Sequence, residues 1–519
     1  MSKRSAIVSL LAISTSAIAA PKLEPDDLPG PRPEVAAGEP KVDVPPVPAF
    51  ELPAAEPGMH GVRELRVRGK ALLDTEIKVK GYVTWIYSCP AVLAAANPKA
   101  SPESIRTAID NDPTLCAPAK FSLGDARTTP TDTSISVVDV PRPPSRNERM
   151  RQPKAGATEG VQQWPTVPHL TVGELVVVTG TWTTQSKLGE HNTGGLLSYR
   201  TVEHVPAGAA APPAPAPAPV NMTPESEIAV VTKVPLRPRI DDQVRNASIE
   251  HTNSCIKAIN ARQYDTAMTE CQAAIKAWEG NHLAWYTLAT VHMARSEWPQ
   301  ATAAVEHAVQ QRPDQGMYQL YHGLSLYESI RLAKDPKAPD VPTLDQARDA
   351  LRRATKLAPD LWRAHFYLAR AYRDVDDARH AAEQFALTIA THPTYALAYV
   401  ALCELYLRWD YNDEALAIAK LGTTNAAAAD APDVWYELGR AYSAKHATAP
   451  AIDAFTKAVA GKPDDPTPKY QRGQLYFQQN DFANAKHDLE DVVKSNDPRA
   501  ASMKPVAAQL LTQIASKVH

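Results

Sequence analysis

Residues 282–315 read HLAWYTLATVHMARSEWPQATAAVEHAVQQRPDQ, and this stretch indicates the fold of the C-terminal half of the chain. It places Trp285, Leu288 and Ala289 before a second apolar series that ends at Pro313. Residues 362–395 and 432–465 carry the same series, each in a unit of 34 residues. A fixed period of this length predicts an array of helical units that each bury an apolar face against the next.

The spacing resembles that of the tetratricopeptide repeat (TPR), a helical hairpin whose two helices touch at small residues. The resemblance implies a multidomain chain with a C-terminal all-α solenoid of about seven repeats, the third of which carries an insert. The expected repeats span residues 248–281, 282–315, 316–361, 362–395, 396–431, 432–465 and 466–499. Because such an array must cover its last apolar face, residues 500–519 are predicted to form a capping helix.

Residues 60–205 have the pattern of a small β domain. A run at 75–88 is rich in β-branched and aromatic residues, which favour a strand. The run at 173–182 resembles the fourth strand of an OB-fold barrel. The run at 79–83 resembles the first, with Gly81 where that strand must bend. The sequence therefore predicts an OB-like β-barrel, with another small barrel or a sandwich as the alternative.

Proline marks the borders of these domains. Of the 46 prolines, eleven lie at residues 21–57 and nine at 206–238. Segments rich in proline and alanine, with few aromatic residues, bury too little apolar surface to offset the entropy of ordering. We therefore expect a disordered tether at residues 20–59 and a stiff, polyproline-like linker at 206–247.

The N-terminus has the features of an export signal. Lys3 and Arg4 precede an apolar run at 6–20 that is too short to anchor stably in a bilayer. Small residues predict cleavage after Ala19, so residues 1–19 are expected to be a signal peptide and the mature chain to be periplasmic or secreted. A membrane anchor is the alternative. No other segment has 18 consecutive apolar residues, so no transmembrane segment is expected in the mature chain.

The five cysteines fit an exported protein with few disulfides. Cys89 ends the first predicted strand and Cys116 precedes the second, so these two are expected to pair. In the first repeat, Cys255 takes the small contact position and Cys271 an inward position on the second helix, which predicts another disulfide. Cys403 takes the small position of the fifth repeat and is expected to be a buried thiol. The alternative for each pair is two buried thiols that fill core sites.

Motifs for catalysis or metal binding do not occur in the sequence. There is no C-x-x-C, H-E-x-x-H, G-x-S-x-G or Walker-type glycine loop. Asp374, Asp376 and Asp377 lie close together, but at an inter-helix turn where acidic residues serve as helix caps. The chain is therefore expected not to be an enzyme and to need no cofactor or metal.

First helices line the concave face of a TPR array, which the resemblance identifies as the binding face. Aromatic and arginine side chains there would offer rigid contact area and bidentate recognition of carboxylates. The expected partner is a protein or an extended peptide with acidic groups or a free C-terminus. Alternatively, the rings pack between repeats and the arginines pair with Asp374 or Glu404. The predicted contact residues are Tyr286, Tyr327, Phe366, Arg370, Arg373, Glu404, Arg408, Tyr436, Arg440, Tyr470 and Phe477.

The β domain suggests a different function, in which it binds single-stranded nucleic acid or a glycan while the repeats mediate assembly. The residues concerned are Tyr82, Trp85, Tyr87, Trp182, Arg142, Arg146, Arg149, Arg151 and Lys154. A net charge of -3 argues against a strongly basic nucleic-acid binder, so nucleic acid is the less favoured partner. The leading prediction is a non-catalytic, exported scaffold that binds proteins through its repeats. The ligand-binding role of the β domain is the alternative.

Overall fold

The computed structural model describes residues 42–50, 52, 56–97, 99–129, 131, 133–144, 166–206, 228–231, 240–335, 338–339 and 341–517. They belong to two compact units: Met1–Val47 with Thr223–Ala398, and Pro48–Met222 with Tyr399–His519. The expected signal peptide lies outside the described residues, as do most of the expected tether and of the expected linker.

The N-terminal domain of the second unit is built on a sheet. Its described strands are β1 (His60–Gly61), β2 (Thr75–Ile86), β3 (Phe121–Gly124), β4 (Ile135–Val138), β5 (Leu175–Gln185) and β6 (His191–His204). The sheet order is β1-β2-β3-β4-β6-β5, and β5 pairs with β2 in addition to β6. The β1–β2 and β4–β6 pairs are parallel, and the remaining pairs are antiparallel. The chain therefore has the N-terminal sheet domain that the sequence predicts.

Alternation along β2 creates the core of this domain. Ile77, Val79 and Val83 are buried. Glu76, which precedes Ile77, and Lys78, which follows it, are exposed. This period of two is what a strand with one buried face requires. Among the described residues, three α-helices accompany the sheet: α1 (Val62–Arg68), α2 (Cys89–Ala96) and α3 (Pro102–Asn111).

The first unit consists of helical hairpins. The bounds of its helices are α4 (Asp242–Asn260), α5 (Tyr264–Ala277), α6 (His282–Ala294), α7 (Trp298–Gln311), α8 (Gly316–Leu332), α9 (Leu344–Leu357), α10 (Trp362–Asp374) and α11 (Ala378–Thr391). Side-chain caps fix four of the starts, those of α4, α6, α9 and α11. Asp241 accepts the backbone N–H of Gln243 before α4, and Thr343 forms a capping box with Gln346 after the inserted loop.

Helix α12 (Ala396–Arg408) begins in the first unit and continues in the second. The second unit then contains α13 (Asn412–Asn425), α14 (Ala431–Ala444), α15 (Thr448–Gly461), α16 (Pro466–Gln478), α17 (Phe482–Lys494) and α18 (Lys504–Lys517). The last of these helices packs on α16 and α17 through Ala507 and Ile514, which are buried. It thus covers the last hairpin, as a capping helix does.

The same backbone turn recurs between the two helices of a hairpin. In the turns that follow α4, α6, α10, α12, α14 and α16, one non-glycine residue has a φ between 56 and 62°, in the left-handed region. These residues are Arg262, Ser296, Asp376, Asp410, His446 and Asn480. A left-handed residue ends a helix because its geometry cannot continue the right-handed path. The repeat is therefore visible in the backbone as well as in the side chains.

Small residues let the helices of a hairpin approach closely. A Cβ atom added at Gly439 of α14 would lie 2.5 Å from a ring carbon of Phe455 in α15. A Cβ atom at Gly323 of α8 would lie equally close, 2.5 Å from Leu351 in α9. Both glycines occupy the small contact position that defines the repeat in the sequence.

Both expected disulfides are present. Cys89 at the start of α2 is bonded to Cys116, and Cys255 of α4 is bonded to Cys271 of α5. The bonds close segments with sequence separations of 27 and 16 residues. A disulfide that closes a loop of that length stabilises the folded state by about 3 kcal/mol. Disulfides of this kind indicate an oxidising environment.

Cys403 remains as a buried thiol, and burial raises its pKa well above the usual value. The reactive species is the thiolate, and a raised pKa leaves little of it at pH 8. We expect no alkylation of the native, non-reduced protein by iodoacetamide at pH 8, and alkylation of this one residue after unfolding in urea. Peptide mass spectrometry measures both. Modification of Cys89, Cys116, Cys255 or Cys271 in the unfolded, non-reduced sample would contradict the pairing.

Candidate interaction surfaces

An arginine lies inside an aromatic cluster in the first unit. The Cζ atom of Arg370 in α10 is 4.9 Å from the ring centroid of Tyr327, 5.5 Å from that of Tyr367 and 5.9 Å from that of Phe366. Tyr327 and Phe366 are only 2% and 5% exposed, so their rings belong to the packing between helices. Three of the predicted contact residues therefore come together here, and the most accessible of them is Arg370, whose side chain is 18% exposed.

Two carboxylates complete this cluster. Glu328 of α8 is 4% exposed, and its oxygens are 2.6 Å from Nε of Arg331 and 3.8 Å from Nη1 of Arg370. Asp374 at the end of α10 lies 3.4 Å from Nε of Arg373. Three arginines thus face two carboxylates, and the Arg373 side chain is 29% exposed. The Arg331 side chain is 41% exposed and that of Arg370 18%, so an acidic group from outside would find accessible positive charge at Arg331 and Arg373.

The tyrosine and arginine at the centre keep a single charge state. Burial raises the pKa of Tyr327 to about 12, so its hydroxyl stays protonated and donates to Asp374 at 2.7 Å. Burial alone would lower the pKa of Arg370, but its neighbours Tyr327, Glu328, Tyr367 and Asp374 together raise it by more, so the net shift is upward. At neutral pH the tyrosine is therefore neutral and the arginine positively charged.

Tyr286 lies elsewhere in the first unit, in α6. Its ring is 5.1 Å from that of Tyr318 and 5.0 Å from that of Tyr321, between centroids, and the residue is 9% exposed. These distances are typical of aromatic packing in a core. Tyr286 thus follows the alternative in which the rings pack between repeats.

The remaining predicted contact residues lie in the second unit. Arg440 of α14 donates from Nη1 to both carboxylate oxygens of Glu437, at 3.1 and 3.0 Å, and its Cζ atom is 5.8 Å from the Tyr436 ring. Tyr470 of α16 is 5% exposed. Arg408 ends α12 and is half-buried, whereas Glu404 one turn earlier is exposed. Phe477 packs 5.9 Å from Phe482.

The sheet domain contacts these same repeats. Thr512 of α18 donates to the backbone oxygen of Ala91 in α2 at 2.8 Å, and Gln509 donates to that of Ile86 at 3.2 Å. Gln474 of α16, one residue after the small contact position, lies 3.5 Å from Thr131. Sequence reasoning gave no sign of these contacts, because they join residues that are hundreds of positions apart.

Charged residues strengthen the contact between the sheet domain and α12. Arg66 of α1 lies 3.4 Å from Asp125 and 3.3 Å from Asp410, and Arg63 lies 3.3 Å from Asp410. A cavity of about 220 Å³ adjoins these ion pairs. Its lining includes Arg66, Asp125, Leu407, Asp410, Arg440 and Ser443. Arg440, a predicted contact residue, therefore faces the protein's own sheet domain.

The predicted ligand-binding residues of the sheet domain are spread between core and rim. Trp182 is 1% exposed and belongs to the core. The hydroxyl of Tyr87 accepts the backbone N–H of Ala117 at 3.0 Å, and the Tyr82 ring lies 5.7 Å from the guanidinium of Arg127. Trp85 packs edge-on against Tyr87 at 6.3 Å. Of the basic loop, Arg142 is described, whereas the other four predicted residues lie outside the described part.

Sequence analysis missed Phe50, which is buried against α12 and the turn after it. Its ring centroid lies 5.1 Å from that of Trp409, 5.4 Å from that of Tyr411 and 6.0 Å from that of Tyr406. Phe50 is 1% exposed. A signal existed in the sequence, because Phe50 is the only aromatic residue between positions 21 and 59. A lone aromatic residue in a proline-rich segment is a candidate anchor.

Among the described residues, His, Cys, Asp and Glu side chains form no group of three that could hold a metal ion. In the same part of the chain, every helix is too short or too polar to cross a bilayer.

Residues 470–513 match the family model of the tetratricopeptide repeat, which confirms the TPR resemblance for that part of the chain. No curated protein matches the chain in sequence. Among solved structures, the chain is similar to Pseudomonas aeruginosa pilF, with 14% identity, 46% of this chain and 99% of that one covered, and a TM-score of 0.37. A tetratricopeptide repeat protein from Parabacteroides merdae has 13% identity, 52% and 99% coverage and a TM-score of 0.36. A thermophilic TPR protein of Thermus thermophilus has 22% identity, with 38% of this chain and 100% of that one covered and a TM-score of 0.30.

Proposed function

We propose that this chain, which contains tetratricopeptide repeats, is an exported, non-catalytic scaffold that binds a protein partner through the first helices of those repeats. The family match supports this, because proteins with such repeats generally act as binding scaffolds. The observation that carries the proposal is the cluster around Arg370, where aromatic rings and arginines gather on the first helices α8 and α10. Its accessible charge at Arg373 favours an acidic segment of the partner.

Export is the second part of this proposal. The two disulfides support it, because such bonds form and persist in oxidising compartments. We place the mature chain in the periplasm or outside the cell, with the signal peptide at residues 1–19.

We further propose that the sheet domain is an OB-like barrel that contributes a second contact to the scaffold. The strand order supports it: apart from β1, the pairs run β2-β3-β4-β6-β5 and return from β5 to β2. In that ring the β4–β6 pair is parallel and the others are antiparallel. Five strands in this order are typical of the OB fold.

Charge reversal at Arg373 tests the scaffold proposal. Arg370 is the poorer choice, because its removal would leave Glu328 with fewer partners in a buried setting. In affinity capture from the extracytoplasmic fraction, we expect Arg373→Glu to recover at least about tenfold less of a native partner than the wild-type protein does. The amount captured is measured by quantitative mass spectrometry.

The matched control is Arg379→Glu on α11, a second helix of the same unit. Arg379 is 53% exposed and pairs with Glu383 at 3.1 Å. This variant should capture as much partner as the wild type. Equal capture by wild type and Arg373→Glu, with both proteins folded by circular dichroism, would refute the role of this surface.

A further inference from the structure

The segment that contains Phe50, just before the sheet domain in the chain, is anchored in an aromatic socket of the fifth repeat. The socket consists of Tyr406 on α12 with Trp409 and Tyr411 in the turn that follows. Phe50 enters it and meets Trp409 and Tyr411 edge-on, at interplanar angles of 86° and 76°. Such edge-to-face contacts are specific for an aromatic side chain and exceed what area burial alone contributes.

The backbone at Phe50 is bent in order to reach the socket. Its φ is 56°, which places a non-glycine residue in the left-handed region. That conformation is disfavoured for residues with a Cβ atom, so the contact must offset its strain. A segment that merely lay against the surface would not adopt it.

The rim of the socket is charged and belongs to the sheet domain. The guanidinium of Arg63 lies 5.8 Å from the Tyr411 ring and pairs with Asp410 at 3.3 Å. Farther along the chain, Glu56 pairs with Lys80 of β2 at 2.5 Å. Phe50 is thus held by the repeat, while residues a few positions later are held by the sheet.

One buried polar atom of the socket makes no hydrogen bond within the described part of the chain. The hydroxyl of Tyr406 is buried and has no hydrogen-bond partner among the described residues. Burial also raises its pKa, so it remains a neutral hydroxyl that can donate. A buried donor without a partner is unfavourable in a closed core, but useful where a ligand with a polar group binds.

We propose that this socket is a peptide-binding site for a phenylalanine in a proline-flanked segment, and that the chain's own residues 48–50 are its intramolecular ligand. Pro48 and Phe50 supply the recognised pattern. A peptide of the same chemistry binds there only when the chain's own segment has left. The inference is independent of the proposed partner site at Arg370 and Arg373, which lies in the other unit.

A ligand that is tethered to its own receptor has a high effective concentration there, so it competes strongly with an added peptide for the same socket. Removing the tethered phenylalanine therefore tests the proposal. The probe is a fluorescent peptide with the sequence of residues 44–53, VPPVPAFELP, and the receptor is the full chain. We expect the peptide to bind the Phe50→Ala variant at least about tenfold more tightly than the wild type, because the vacant fraction sets the apparent affinity. Fluorescence anisotropy measures both constants.

Control changes in the peptide and in the protein show whether the peptide binds at the socket. A peptide with alanine in place of phenylalanine should not bind Phe50→Ala, and neither should the first peptide bind Phe50→Ala combined with Tyr411→Ala. Phe50→Ala combined with Trp435→Ala is the matched control, because Trp435 lies outside the socket in α14, and it should bind as well as Phe50→Ala.

Three outcomes would overturn the proposal: equal affinity for wild type and Phe50→Ala, no binding to a folded Phe50→Ala protein, or binding that does not need the peptide's phenylalanine. Folding is checked by thermal unfolding. If Phe50→Ala does not fold, Phe50→Leu replaces it, because leucine keeps apolar volume but lacks the edge-on ring contacts. The peptide must then bind Phe50→Leu more tightly than wild type, and equal affinity would again overturn the proposal.

Discussion

Replacing Arg472 with alanine is expected to lower the free energy of unfolding of the second unit by about 3–5 kcal/mol. Arg472 of α16 donates from Nε and Nη2 to the two oxygens of Asp488 in α17, at 2.7 and 2.8 Å. This hydrogen bonding is the main cause of the raised pKa of Arg472. Asp488 is 1% exposed, so the variant would leave a buried carboxylate without its cation. Urea denaturation followed by circular dichroism measures the loss.

Helix α17, which carries Asp488, also offers a matched control for this result. Lys494 of α17 pairs with Glu490 at 3.1 Å, but its side chain is 71% exposed. Because water screens exposed ion pairs, Lys494→Ala should cost no more than about 1 kcal/mol. Similar losses for the two variants would show that burial of Asp488 does not matter.

Replacing Gly195 with alanine is the second large effect that we expect, a destabilisation of about 2–4 kcal/mol in the sheet domain. Gly195 has a φ of 101°, and a Cβ atom there would lie 2.2 Å from Cζ2 of Trp182. The Trp182 ring has little room to move, because an added Cβ at Gly69 would come within 2.7 Å of its Nε1 atom. The variant therefore combines backbone strain with overpacking. Denaturation monitored by tryptophan fluorescence gives the change in stability.

Gly189 separates these two causes. Its φ of 92° is similar, but nothing lies within 4 Å of a Cβ added there. Gly189→Ala should therefore show the backbone strain alone, about 1–2 kcal/mol. If Gly189→Ala and Gly195→Ala destabilised the protein equally, contact with Trp182 would have no part in the effect.

Local patterns made much of the fold predictable. The recurrence of Gly323, Ala369 and Gly439 placed the contact point of each hairpin, because close helix approach admits only small residues there. The position of Cys255 in that series, and of Cys271 on the facing helix, also gave the disulfide in advance. Alternation at 75–88 was enough to predict a strand.

The candidate interaction surfaces were harder to predict. Projection onto a helix face correctly grouped Tyr327, Phe366 and Arg370. It could not tell how far each is exposed, because exposure depends on the neighbouring hairpin. Glu328 was missed for the same reason: a carboxylate on a helix has no sequence mark of burial, yet this one is 4% exposed between two arginines.

The sequence by itself determined the repeat, the sheet domain and the cysteine pairs, since each leaves a pattern in residues that are close in the chain or that recur at a fixed period. Only the tertiary structure decided that Phe50 anchors in the fifth repeat and that Arg63 and Arg66 meet Asp410. Those contacts join segments separated by more than 300 positions. No period links such residues, and the free energy that brings them together comes from surfaces that exist only once each domain has folded.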